Sequence, residues 1–401
     1  MKQITVLMLC VGLLYGCKTH QRSSVTENDL LKAISQQLAY LPLLKDTTNL
    51  KSKDLIFPRT LTESGKLVLV SKRDWTSGFY PGVLWNMYRL TGDKQWKEKA
   101  ELYTALLTSE QYNSSNHDLG FKMMPSFGLG YEATNNEAYK KVLIQAAKTL
   151  ITRFNENVGC IRSWDHNRDK WEFPVIIDNL MNLELLFWAS KETGNPVFYN
   201  IAVAHAKTTM RNHFRENYSS FHVVGYNLET GAVISKNTHQ GYADSSSWSR
   251  GQAWALYGYT MIYRETKDLA FLNQAENIAN YIINVAKLPE DLVPFWDFDL
   301  PDLKSEPRDA SAAAVMASAF FELSKYTSQH KDTYLHLANS MLNSLTSKQY
   351  FSELGTNNGF LLKHSTGSKP KNSEIDVPLV YADYYYLEAL FRKNQIQNQL
   401  N

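Results

Sequence analysis

The sequence predicts an all-α fold, an (α/α)6 barrel or six-hairpin toroid, and three observations carry that expectation. A punctuation mark recurs: Thr, any residue, Asp or Asn, two residues, then an aromatic. It stands at Thr91–Trp96, Thr134–Tyr139, Thr193–Phe198 and Thr266–Phe271, with a degraded copy around residues 328–335. The segments before the marks are apolar nearly all round, and those after them are amphipathic. The links leading from each amphipathic segment to the next apolar one are far longer than the marks. Thr, Asp and Asn between two helical patterns end one helix and cap the next, so the chain reads as repeated helical hairpins.

In chain order, "ENDLLKAISQQLAYL" supplies an outer helix and "SGFYPGVLWNMYRL" the first inner one. The inner set continues with "FGLGYEA", "IIDNLMNLELLFWASKE", "SRGQAWALYGYTMIYRE", "DASAAAVMASAFFELSKY" and "YADYYYLEALFRK". The outer set continues with "KQWKEKAELYTALLTSEQY", "EAYKKVLIQAAKTLITRF", "PVFYNIAVAHAKTTMRNHF", "LAFLNQAENIANYIINVAK" and "DTYLHLANSMLNSL". Helices apolar all round belong inside a ring of amphipathic ones. The long links, such as "NSSNHDLGFKMMPS", hold most of the unusual polar and aromatic clusters. Function is therefore expected at the end of the barrel where inner helices begin. "SFHVVGYNLETGAVI" alternates enough to form a hairpin there.

The 401 residues hold 42 Lys and Arg against 40 Asp and Glu, a net charge of +2 that gives no global field for nucleic acid. At the N-terminus, Lys2 precedes the apolar run "ITVLMLCVGLLYG", too short to span a bilayer and suited to a signal peptide. "LLYGC" resembles a lipobox, although Tyr15 is unusual there. The expected organisation is a signal peptide over 1–16, a polar tether over 17–28 behind lipidated Cys17, and a single catalytic domain over 29–401. That places the protein in the periplasm or at the outer membrane, held by lipid alone. Cys160 would then be the lone cysteine of the folded domain, leaving no internal disulfide and no Cys-based metal site. No metal or other cofactor is expected.

Two acids stand out. Asp178 opens an inner helix within "PVIIDNLMN". As a plain N-cap it would favour the helix dipole; desolvated by its apolar neighbours, it would hold its proton and serve as a general acid. Asp118 follows His117 in a link and reads either as a solvated loop acid or as a positioning carboxylate. Paired acids in unlike surroundings are a common device of sugar chemistry. Gln240, Trp248, Arg250 and Trp254 crowd the approach to another inner helix, where Arg would clamp a carboxylate two-pronged and Trp would stack on a sugar ring. Trp75, with Phe79 and Tyr80, would wall a pocket. His222 and His239 read more readily as loop residues than as catalysts.

Together "DWTSGFYPGVLW", "NHDLGF", "IIDNLMNLELLFWAS", "WSRGQAWALYGY" and "YADYYYLEAL" resemble the unsaturated glucuronyl hydrolases of glycoside hydrolase family 88. The pieces follow the family's order from Asp74 to Leu390. The resemblance implies the same barrel and an unusual reaction: hydration of the C4=C5 bond of a 4,5-unsaturated uronic acid left by polysaccharide lyases. It implies Asp178 as general acid/base and Asp118 as the second essential acid. Around the unsaturated sugar it implies Trp75, His117, Trp164, His222, Gln240, Trp248, Arg250 and Trp254. It also implies a sulfate-holding loop at "HSTGSKPKN", where Ser365 and Ser368 have the spacing and Lys369 and Lys371 flank the place of a Lys. Alternatives left open are an unsaturated rhamnogalacturonyl hydrolase on pectin fragments, a non-catalytic sugar-binding lipoprotein and an inverting hydrolase of saturated sugars.

Overall fold

The recurring mark proves to be a complete helix-to-helix joint. In "TGDKQW", Thr91 ends one helix with its hydroxyl bonded to Met87 O at 2.7 Å, and Gly92 turns left-handed at φ 70°. Asp93 then accepts from Gln95 N at 3.0 Å and caps the next helix. Asn135 and Asn136, Gly194 and Asn195, and Lys267 and Asp268 repeat the same pair of roles. Each joint satisfies the carbonyls of one helix end and the amides of the next, so the chain reverses in two residues.

A computed structural model describes residues 27–41 and 54–400. The expected signal peptide, the lipidated Cys17 and most of the tether lie outside the described residues. Helix α1 (Glu27–Leu38) is followed by a hairpin, β1 (Phe57–Leu61) and β2 (Leu67–Val70). Then come α2 (Phe79–Thr91) with α3 (Lys94–Ala105), and α4 (Leu119–Met123) and α5 (Leu129–Thr134) with α6 (Glu137–Ile151). A short pair, β3 (Phe154–Asn155) and β4 (Cys160–Ile161), and β5 (Phe173–Ile176) lead into α7 (Asn179–Thr193) and α8 (Pro196–Asn212). Strands β6 (Val223–Tyr226) and β7 (Val233–Asn237) precede α9 (Ser249–Thr266) and α10 (Leu269–Asn284). The chain closes with α11 (Ala310–Leu323), α12 (Lys331–Thr346) and α13 (Val380–Leu400).

The inner ring runs α2, α4–α5, α7, α9, α11, α13, and α13 packs back on α2 to close it. Residues 310–323 of α11 are buried on every side, which is why "ASAAAVMASAFFEL" carries no charge before Glu322. The core is continuous from Ile34 to Leu390.

Two features depart from the sequence reading. The second inner helix starts at Leu119, not near Phe127, so Asp118 stands at a helix start and not in mid-loop. Pro125 lacks the amide a regular turn needs, and the helix crosses it through a π turn over Met124–Gly128, with Leu129 N bonded to Met124 O. The β1–β2 hairpin was not foreseen. The expected hairpin over 220–234 is present as β6–β7, and β5 joins it as a third antiparallel strand.

At the far end, where the inner helices stop, a cavity of about 400 Å³ is filled with opposed charges. Arg264 pairs with Glu184, Glu265 and Glu322, and Arg392 with Glu322 at 2.8 Å and Glu388 at 3.6 Å. Burial would push Glu322 up, but Arg264 and Arg392 pull it down to about 2. Removing one partner of such a buried set leaves bare charge inside. Arg392→Met should therefore lower unfolding free energy by about 3 kcal/mol near neutral pH. A denaturant titration checks this, and a loss well under 1 kcal/mol would reduce the network to surface decoration.

Candidate active site

Asp118 and Asp178 occupy the N-cap positions of α4 and α7, yet neither carboxylate caps its helix. Elsewhere Asp93, Asp268 and Asp309 at equivalent positions do cap. The two acids instead line one cavity of about 360 Å³ at the end of the barrel where the inner helices begin. The helix-cap reading of Asp178 thus fails on geometry, and the acid is free for another task.

Strand β5 delivers Asp178. Ile177 N bonds His222 O at 3.0 Å, fixing the chain just before the acid. Asp178 is 8% exposed, and Oδ2 has no hydrogen-bond partner. Burial raises its pKa to about 7, against the pull of Arg250 and a hydrogen bond from Trp254, and with a further push from Asp118. His222 Nε2 lies 3.7 Å from that oxygen. His222 Nδ1 accepts from His239 N and Gln240 N, both at 3.1 Å, so its proton sits on Nε2 and faces the acid. Burial holds this imidazole well below its ordinary pKa, so it is neutral. His117 is likewise buried, with Nε2 3.3 Å from Asp118 Oδ1.

Of the residues singled out from sequence, Trp75, His117, Asp118, Trp164, Asp178, Gln240, Trp248, Arg250 and Ser368 line the cavity. Trp75 packs on Phe79 and Phe121 at 5.8 and 5.5 Å, and Trp248 lies 4.6 Å from His222. Five residues sit differently from expectation. Trp254 is wholly buried behind Asp178, offering it a hydrogen bond and no face to a sugar. His222 likewise stands behind the wall. Phe79 and Tyr80 are core residues. Ser365 is buried with its hydroxyl unpartnered, its backbone paired to Val377, and only Ser368 of the two serines reaches the cavity.

Arg250 also differs from the expected two-pronged clamp. Nη1 bonds Asp309 Oδ2 and Thr366 O at 2.5 Å each, and Nη2 bonds Gly367 O at 2.6 Å. Both terminal nitrogens hold protein. Gln240 Nε2 reaches the same Gly367 O at 3.0 Å. These bonds seat the 365–374 loop as a wall of the cavity.

Sequence reasoning missed Arg59, Glu374 and Tyr381, which also line the cavity. Arg59 on β1 grips Glu374 with Nε–Oε1 2.6 Å and Nη2–Oε2 2.8 Å, and reaches Asp74 at 2.8 Å. Asp74 caps the turn that carries Trp75. Gly367 is required here, because a Cβ would meet Glu374 Oε2 at 2.4 Å. The contact across 315 positions had no local signal; only an Arg within the alternating "FPRTL" could have hinted at it. Among the described residues no group of three His, Cys, Asp or Glu could hold a metal ion.

Residues 57–390 match Glycosyl Hydrolase Family 88. The chain is 46% identical over 402 residues to an unsaturated glucuronyl hydrolase of Formosa agariphila, covering 99% of each chain. It is 32% identical over 374 residues to an unsaturated chondroitin disaccharide hydrolase of Streptococcus pneumoniae, covering 92% of each. Its structure is similar to that of an unsaturated glucuronyl hydrolase specific for heparin, with TM-score 0.86 and 46% identity, over 93% of this chain and 99% of that one.

A buried acid raised to about 7 weakens the fold. The folded state keeps the proton that the unfolded chain releases near pH 4, so stability falls as pH rises from about 4 through about 7. Asp178→Asn removes that loss. Its unfolding free energy should exceed wild type by up to about 4 kcal/mol above pH 7 and match it near pH 4. Thermal unfolding across pH reads this directly, and an equal gain at both ends would mean that the charge is irrelevant.

Proposed function

Because the chain belongs to glycoside hydrolase family 88, we propose that it removes 4,5-unsaturated uronic acid from the non-reducing end of lyase-generated, glycosaminoglycan-type oligosaccharides. The carrying observation is that Asp118 and Asp178, placed to cap two inner helices, leave them uncapped and meet at one cavity. The chemistry follows from their unlike surroundings. Asp178 holds its proton near neutrality and gives it to C4 of the double bond. Positive character develops at C5 and the ring oxygen, and the Asp118 carboxylate across the cavity stabilises it. Water adds at C5, losing its proton to the Asp178 carboxylate just formed. The resulting hemiketal opens to a C5 ketone, and C1 collapses to an aldehyde with loss of the aglycone. His222, neutral, presents Nε2–H towards Asp178 at 3.7 Å. Trp75 and Trp248 line the cavity that takes the sugar.

The aglycone lies against the 365–374 loop, where Ser368 and Lys371 face the cavity. The likeness to a heparin-specific enzyme at 46% identity, against 28–34% for the chondroitin-type and Bacillus relatives, supports heparin-type disaccharides as the first substrates to try. The conjugated double bond absorbs ultraviolet light, so turnover appears as lost absorbance. Wild type should bleach unsaturated glucuronyl disaccharides, while Asp178→Asn and Asp118→Asn should each lose about 10²–10⁴-fold. The wild-type rate should fall as pH rises through about 7, where Asp178 gives up its proton. Bleaching of only an unsaturated galacturonyl-rhamnose disaccharide would move the protein to pectin fragments, and binding without bleaching would make it a sugar-binding protein.

We further propose that Cys17, behind the apolar run "ITVLMLCVGLLYG", carries the lipid that anchors the enzyme. Cys17→Ser should release it from the membrane fraction, and unchanged membrane retention would end that proposal.

A further inference from the structure

The mouth of the cavity carries a group of side chains that the hydration chemistry does not use. Trp164 lines the cavity wall, and exposed His166 stacks on it with ring centres 5.2 Å apart and planes 15° apart. His239 leans on the same indole at 5.5 Å, and Trp171 meets both rings at 5.8 and 5.7 Å. Lys170 lies 4.4 Å over the Trp171 ring. Lys371 lines the cavity rim, close enough for its charge to hold the His166 and His239 pKa values down alongside their burial.

The link carries both signs of charge, with Asp169 and Glu172 flanking Lys170, but its lysine is not tied up. Among the described residues neither Lys170 nor Lys371 is ion-paired, whereas neighbouring Lys369 is held by Glu306 at 3.2 Å. Asp165 on the same link is already bound by Arg153 and Arg162. Aromatic faces beside unpaired cations suit a sugar ring bearing an anion. In a glycosaminoglycan fragment, uronate and hexosamine alternate. If the unsaturated ring sits at Asp118 and Asp178, the hexosamine follows, and the next ring outward is again a uronate with a carboxylate.

Resting on the hydrolase reading above, we propose that Trp164, His166, Trp171 and His239, with Lys170 and Lys371, form an outer subsite for that second uronate. Exposed His166, backed by Trp164 and His239 with Trp171 buried behind them, carries its apolar face, and the lysines hold its carboxylate. The enzyme then takes unsaturated tetrasaccharides in preference to disaccharides, and each cut returns a shorter chain with a hexosamine at its end.

The test compares kcat/KM for unsulfated unsaturated tetrasaccharide and disaccharide in wild type and in the double variant His166→Ala, Lys170→Ala, both at exposed positions. The tetrasaccharide-to-disaccharide ratio should fall about fivefold in the variant, the size of a solvent-exposed charge contact, with disaccharide turnover unchanged. The wild-type ratio should also fall with added salt. An unchanged ratio overturns the proposal. So does a variant that loses only its response to sulfate on a disaccharide, because the cluster would then serve the adjacent hexosamine. Turnover of the disaccharide by wild type separates failure of the hydrolase reading from failure of the subsite. Equilibrium binding of both oligosaccharides to Asp178→Asn protein reads the same ratio where turnover is absent.

Discussion

One buried guanidinium holds the cavity in shape. Arg250, at the start of α9, ties Asp309 at the start of α11 to the carbonyls of Thr366 and Gly367. Asp309 caps α11 at the same time through Ser311 N at 3.1 Å. Two inner helices and the last long loop thus meet on one charge-assisted cluster. Deleting any member would strand a buried charge or carbonyl. Such a cluster adds little net stability over an apolar substitute. Its effect is to select one loop position out of many, and through its field Arg250 also limits how far burial raises the pKa of Asp178.

The two ends of the barrel divide the work. At one end the chain reverses in two residues, and acids and arginines neutralise each other in a closed set. The cavity there is the larger, but its acids are already committed to Arg264 and Arg392. At the other end the links are long, Asp178 is raised to about 7 and unpartnered at Oδ2, and the rim lysines are unpaired. Similar side chains are inert at one mouth and available at the other because of what surrounds them.

The barrel was legible because it is local. Each joint needs only a residue tolerant of a left-handed turn followed by a capping Asp or Asn, and the inner helices announce themselves by being apolar nearly all round, α11 most of all. The break at Met124–Gly128 was legible in principle from Pro125, but a helix that continues across a proline needs its neighbours to hold it. The acids were legible as types and not as roles, since Asp178 and Asp93 look alike until one is seen to cap and the other not. Arg250 shows the limit most plainly: an Arg beside a cavity reads as a ligand clamp, yet its partners at 366, 367 and 309 had no pattern linking them to it.

The Arg59–Glu374 grip has a consequence for how the protein is made. The grip joins β1 to the 365–374 loop, so the wall beside Trp75 stays open until segments 315 positions apart have met. The inner ring itself closes only when α13 meets α2. Nascent chains therefore pass through a stage in which most hairpins exist but apolar inner faces such as that of α11 remain uncovered. A protein built this way has a cavity whose walls come from distant parts of the chain, and its apolar inner faces stay uncovered until α13 docks on α2.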